Sequence, residues 1–264
     1  MGADGEGITM SKPQLNKDFW LGALRAEGDA FRAAVAGAPD LAAPVPTCPD
    51  WSIAELTSHL ANVYNRTRRL LSTGTPGRPE DWDTPRPPAP AEEVVSQWTD
   101  EFVELLAALD AVDPEQPTWN WAPQAKKAVF WHRRMAHETA VHRWDAQMAA
   151  TGLAEPIEAK LASDGITEVL DTWLPAGRRR GSTGRSGMIA LHATDLDQVW
   201  YVRLRGAGVA LLDTDTLLDS DDHHERATAS GSASDGLLAL YGRISYEALT
   251  VGGDLALLEG LRVG

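Results

Sequence analysis

The chain has 264 residues, 43% hydrophobic and 23% charged, with a formal net charge of −14 at pH 7. That length holds one large domain or two modest ones, and the acidic balance argues against a nucleic-acid backbone or an anionic membrane as main partner. No apolar run approaches the roughly 20 residues needed to span a bilayer, and the single cysteine, Cys48, excludes an internal disulfide and suits a reducing cytoplasm.

Residues 1–13 are Gly-rich and polar, lack the apolar segment of a signal peptide, and read as a disordered leader. A first helix is expected over 14–36, carrying Phe19, Trp20, Leu24, Ala30 and Phe31. A loop with Pro44, Pro46 and Pro49 follows. Ser52 with Glu55 makes a capping box, which starts a second helix that runs to about Leu71. Residues 72–90 are rich in Pro and Gly and read as a surface crossover. The third helix is expected over 91–112, where Val94, Val95, Trp98, Phe102, Leu105, Leu106 and Leu109 keep a helical period. After a loop at 114–123, a fourth helix is expected over 124–150, ending before Gly152. Four long amphipathic helices with one long crossover predict a four-helix bundle over 14–152, a fold that builds metal sites from inward side chains.

The pattern changes after Gly152. A fifth helix over 156–173 leads into the loop Gly177-Arg178-Arg179-Arg180-Gly181, and strands are expected at 188–193, 199–204 and 208–212. An acidic loop at 213–222 precedes a short strand at 226–230, a helix at 234–241, a strand at 248–251 and a closing helix at 254–261. Strands bounded by helices predict a small α+β domain over 153–264. The connection into it has no Ser/Gly-rich spacer, so this domain is expected to cover one side of the bundle.

The residues that stand out are polar ones on core faces. Glu138 and His142 lie four apart, one turn of helix, in the stripe Trp131, Met135, Glu138, His142, Asp145 and Ala149. His59 shares the apolar side of the second helix with Ile53, Leu56, Leu60 and Val63. Buried imidazoles and carboxylates need partners. One divalent metal would satisfy all three, and three protein ligands leave a coordination position open for chemistry. Hydrogen bonding to other core groups is an equally good reading of the spacing. His137 is five residues from His142, so the zincin pattern of two histidines four apart is missing and protease chemistry is not indicated. Asp145 is a candidate to orient a ligand imidazole, or to pair with a nearby arginine. Arg178, Arg179, Arg180 and Arg185 read as a solvated loop, with anion binding the minority reading; His223 and His224 read as exposed. Ten tryptophans are many for this length. Trp51, Trp82, Trp98, Trp119, Trp121, Trp131 and Trp144 fit a bulky core or an aromatic-walled pocket.

The stretch PTCPDWSIAELTSHL at 46–60 resembles the metal-binding signature of the mycothiol-dependent maleylpyruvate isomerase family, and WHRRMAHETAVHRWD at 131–145 resembles its second signature. The resemblance extends to His192-Ala193-Thr194-Asp195, Trp200, Leu240-Tyr241-Gly242-Arg243 and Gly253-Asp254, and covers about residues 14–262. It implies a DinB-like four-helix bundle followed by a sterol-carrier-like α+β domain. It also implies His59, Glu138 and His142 as metal ligands, zinc being the ion such a donor set suits. Arg243 would reach from the second domain to grip a substrate carboxylate. The function implied is that of a cytoplasmic metal-dependent isomerase or S-transferase that uses mycothiol, a low-molecular-weight thiol, against a small electrophile. Addition of the thiolate to a conjugated double bond, rotation and elimination would give cis–trans isomerisation; displacement would give S-transfer. A thiol-independent enzyme using the ion as a Lewis acid is the alternative, and a non-catalytic ligand-binding protein is another.

Overall fold

The computed structural model describes residues 16–82, 90, 93–181, 184–206, 208–212 and 226–263. The leader expected at 1–13, much of the crossover, and the acidic loop with His223 and His224 lie outside the described residues.

Helix α1 (Lys17–Gly37) starts at Asn16, whose side chain accepts the Phe19 backbone N–H at 3.0 Å. Helix α2 (Ile53–Thr73) carries the expected capping box, with Ser52 and Glu55 each accepting from the other's backbone. Helices α3 (Val94–Ala111) and α4 (Val129–Thr151) complete the bundle, in which α1 packs on α4 and α2 on α3. Gly28 shows how tightly α1 meets α3: a Cβ there would lie 2.0 Å from the Phe102 ring, so only glycine fits. Phe102 in turn stacks on Trp98 with ring centroids 5.1 Å apart.

Two details of the bundle differ from the sequence expectation. The loop with Pro44, Pro46 and Pro49 holds a small antiparallel pair, β1 (Pro44–Val45) and β2 (Cys48–Ser52), which pins Cys48 and Trp51 at the start of α2. Helix α4 begins at Val129 rather than 124. The preceding residues are drawn into a turn by a bridge between Pro117 and Lys127 and by Thr118 N–H donating to the Lys126 carbonyl at 2.9 Å.

Helix α5 (Ala159–Glu168) runs into a π-helical turn, Val169–Trp173. The second domain is a five-stranded sheet of β3 (Ser186–Ala193), β4 (Gln198–Arg205), β5 (Gly208–Leu212), β6 (Arg226–Gly231) and β7 (Thr250–Gly253), in the order β5-β4-β3-β6-β7. Among the described strands, only β3 and β6 pair in parallel. Helix α6 (Ala233–Leu240) packs on α5 and β3, and the short α7 (Leu255–Glu259) lies against β3 and β6. The protein is thus a helical N-terminal region followed by a sheet-containing domain.

Helix α4 lies between α1, α2 and α5, and its residues from Phe130 to Ala146 are buried on nearly every side rather than along one stripe. Its buried charges are therefore paired across elements. Arg143 donates to Glu27 on α1 at 2.6 Å, and Arg133 donates to Asp164 on α5 at 3.0 Å. Asp164 Oδ2 also receives His137 Nε2 at 2.9 Å and the Trp20 indole N–H at 3.1 Å, so one carboxylate ties α1, α4 and α5 together.

Candidate metal centre

Helix periodicity delivers Glu138 and His142 to the face of α4 that looks toward α2, and α2 presents His59 to them. His59 Nε2 lies 3.0 Å and His142 Nε2 3.5 Å from the same carboxylate oxygen, Glu138 Oε1. One ligand atom from each of the three residues falls within 4.8 Å of the others. The second Glu138 oxygen is held by Arg134 at 2.6 Å, one turn earlier on α4. Arg134 also pairs with Glu168 and donates to the Tyr241 hydroxyl at 3.2 Å, so it is a fixed, fully buried clamp. The i,i+4 spacing of Arg134 and Glu138 is the sequence signal that would have found it.

Asp145 is placed as expected of a ligand-orienting residue. Its Oδ2 lies 2.8 Å from His142 Nδ1. A carboxylate there fixes the hydrogen on Nδ1 and leaves the Nε2 lone pair facing Glu138 Oε1. Two lone pairs facing each other at 3.5 Å repel unless a proton or a cation stands between them. The donor set of two imidazoles and one carboxylate fits a divalent ion by this test.

The three groups are shifted in different directions. For Glu138, burial opposes ionisation, yet Arg134 and the two histidines hold its pKa well below the ordinary carboxylate range. Burial lowers the pKa of His59, which keeps that imidazole neutral. Burial also disfavours the charged form of His142, but its hydrogen bonds to Asp145 and Glu138 outweigh it and raise the pKa.

The three residues line a cleft of about 460 Å³. Trp51 from β2 covers them, its ring 4.6 Å from that of His59 and 6.1 Å from that of His142. Trp173, Tyr241 and Arg243 supply the wall from beyond the bundle. The tryptophans therefore divide: Trp98 and Trp131 are core, while Trp51 and Trp173 line the cleft.

Arg243 does reach across to the bundle. Helix α6 ends in a Schellman motif, with Gly242 at φ 69° and the Arg243 N–H donating to the Leu238 carbonyl at 2.8 Å. This turn aims the guanidinium at Asp145, which it grips at two points, 3.0 and 2.8 Å. The carboxylate it holds is thus the protein's own. Its other donors face the Tyr241 carbonyl at 3.0 Å and the Cys48 sulfur at 3.6 Å. Burial and the neighbouring Asp145 push the Cys48 thiol pKa up, so it is not an activated thiolate.

Arg178 and Arg180 are exposed and Arg179 is half-buried, as a solvated loop would have them, and all three line the cleft. Their spacing carried no signal of this, because it depends on where the π-helical turn ends.

The model of the "Mycothiol maleylpyruvate isomerase N-terminal domain" matches residues 21–147, and that of the "MDMPI C-terminal domain" matches residues 160–260. The chain belongs to the mycothiol-dependent maleylpyruvate isomerase family. Among solved structures, a crystal structure of the mycothiol-dependent maleylpyruvate isomerase is similar at a TM-score of 0.58 and 13% identity, covering 90% of this chain and 93% of that one. A point mutant of that isomerase matches at the same TM-score, with 12% identity and the same coverage. At such identities the likeness is one of fold. No curated protein matches the chain. Among the described residues, no helix is long and apolar enough to cross a membrane.

Proposed function

We propose that the protein is a metal-dependent enzyme that uses mycothiol, a low-molecular-weight thiol, to isomerise a small electrophile or to transfer the thiol sulfur to it, with His59, Glu138 and His142 as ligands of a divalent ion, zinc by donor type. The observation that carries this reading is the convergence of His59 Nε2 and His142 Nε2 on Glu138 Oε1 within an open cleft. A bound divalent ion supplies positive charge that lowers the pKa of an incoming thiol.

The chain's own residues do the rest. Asp145 orients His142, Arg134 fixes Glu138, and Trp51 shields one side of the ligand set from water. Removing water strengthens every charge interaction in the cleft. Arg243, with four of its five N–H donors directed at protein acceptors, keeps one for an anionic group on the substrate. The electrophile accepts the thiolate sulfur at carbon. Loss of the sulfur after bond rotation returns the thiol and an isomer, whereas loss of another leaving group gives a thioether.

Purified protein is incubated with mycothiol and a panel of conjugated and haloalkyl electrophiles, and product and free thiol are followed together. Turnover that needs both thiol and metal is the expected outcome. Turnover at full rate with no thiol would replace this reading with Lewis-acid chemistry.

A further inference from the structure

Among the described residues, four arginines but only two carboxylates, Asp50 and Glu138, line the cleft, in a chain whose net charge is −14. Arg243 is neutralised by Asp145. The unbalanced charge therefore rests on Arg178, Arg179 and Arg180, none of which has a carboxylate partner among the described residues. Partial burial lowers the pKa of both Arg178 and Arg179, and the Arg134 charge adds to the shift at Arg178.

These side chains are presented from a held backbone. Arg178 N–H donates to the Trp173 carbonyl at 3.0 Å, and Arg180 N–H donates to the Arg262 carbonyl at 2.9 Å. Gly181 passes so close to α7 that a Cβ would lie 1.9 Å from the Glu259 carbonyl oxygen. The Arg178 guanidinium sits 4.2 Å above the Trp121 ring. Arg179 donates from one terminal nitrogen to the Gly206 carbonyl at 3.1 Å, while the other terminal nitrogen is buried with no hydrogen-bond partner. A buried guanidinium nitrogen left unpaired is costly, and an oxyanion is the acceptor that planar N–H pairs match best.

We propose that Arg178, Arg179 and Arg180 form an oxyanion subsite on the cleft wall, which holds a carboxylate or phosphate group carried by the electrophilic substrate. The inference rests on the reading of this cleft as the reaction site, and it narrows the substrate to an anionic electrophile. Neutral electrophiles gain nothing from this wall.

Succinate and inorganic phosphate serve as probes, with succinamide as the uncharged control, and binding is followed by calorimetry and tryptophan fluorescence. The wild-type protein is titrated with and without its metal. Two variants are compared with it, Arg178→Gln/Arg180→Gln, which keeps the Arg179 contact to Gly206, and the triple Arg→Gln protein. A control carries Arg25→Gln/Arg32→Gln on α1, away from the cleft. The expected result is anion binding that persists without metal, weakens about tenfold or more in both loop variants, and is unchanged in the control. Whichever of succinate and phosphate binds more tightly identifies the group. Unchanged affinity in the loop variants, or equal binding of succinamide, would overturn the proposal. Loss of anion binding on metal removal alone would place the anion at the ion, which sinks the subsite and leaves the metal reading standing. Retained loop binding in a protein that takes up no metal would do the reverse.

Discussion

At the scale of single residues, the site is a chain of oriented polar groups rather than three isolated side chains. Arg243 grips Asp145, Asp145 fixes His142, and His142 and His59 converge on Glu138, whose far oxygen is held by Arg134. Partners of this kind set ligand tautomer and angle, and replacing them typically costs about 10- to 100-fold in metal affinity. Asp145→Asn is expected to weaken metal binding within that range, measured by competition with a chelator of known affinity, while Thr47→Val, which only removes a hydroxyl donor from Asp145 at 2.6 Å, has a smaller effect. Arg243→Lys separates two roles. Lysine cannot span both Asp145 oxygens, so kcat/KM should fall about tenfold or more on an anionic substrate while the ion stays bound. Unchanged kinetics would leave Arg243 as a structural tie between the domains.

At the scale of elements, α4 is the organising piece, and its character was only partly legible in its sequence. The Glu138/His142 spacing and the capping box at Ser52 could be read directly, because both are local. The pairing of Arg133 and His137 with Asp164, and of Arg134 with Glu168 and Tyr241, could not, because it depends on α5 and the sheet domain closing over the outer face of the bundle. The same holds for Arg178 to Arg180, whose position is set by a π-helical turn that no periodicity predicts. Asp164 tests this view of the junction. Its carboxylate receives Arg133, His137 and Trp20, and though burial opposes ionisation, these contacts hold its pKa below the usual range. Breaking a buried ion pair from one side costs about 3–5 kcal/mol, so Asp164→Asn should lower Tm clearly at pH 7. Because the folded-state pKa is depressed, this stabilisation is complete above the unfolded carboxylate value of about 4 and is lost as pH falls below it. The Tm difference between wild type and variant should therefore shrink on acidification. A constant difference would mean that Asp164 contributes through packing rather than charge.

At the scale of the whole molecule, the second domain is what gives a bundle with three convergent polar side chains a walled cleft. The bundle contributes His59, Glu138 and His142, and the segments after it contribute Trp173, Tyr241, Arg243 and the arginine loop. This division explains why His59, Glu138, His142 and Arg243 could be singled out from spacing and resemblance, whereas the place of the arginine loop on the cleft wall could not. The account depends first on the ion. The direct measurement is elemental analysis of wild-type protein and Glu138→Ala after zinc loading and desalting, with circular dichroism as the control for folding. About one equivalent of zinc in the wild type, and a large loss in the variant with helicity preserved, is the predicted result, since bundle stability comes mainly from apolar packing. A wild-type protein that holds no zinc and takes up no other divalent ion would contradict the account.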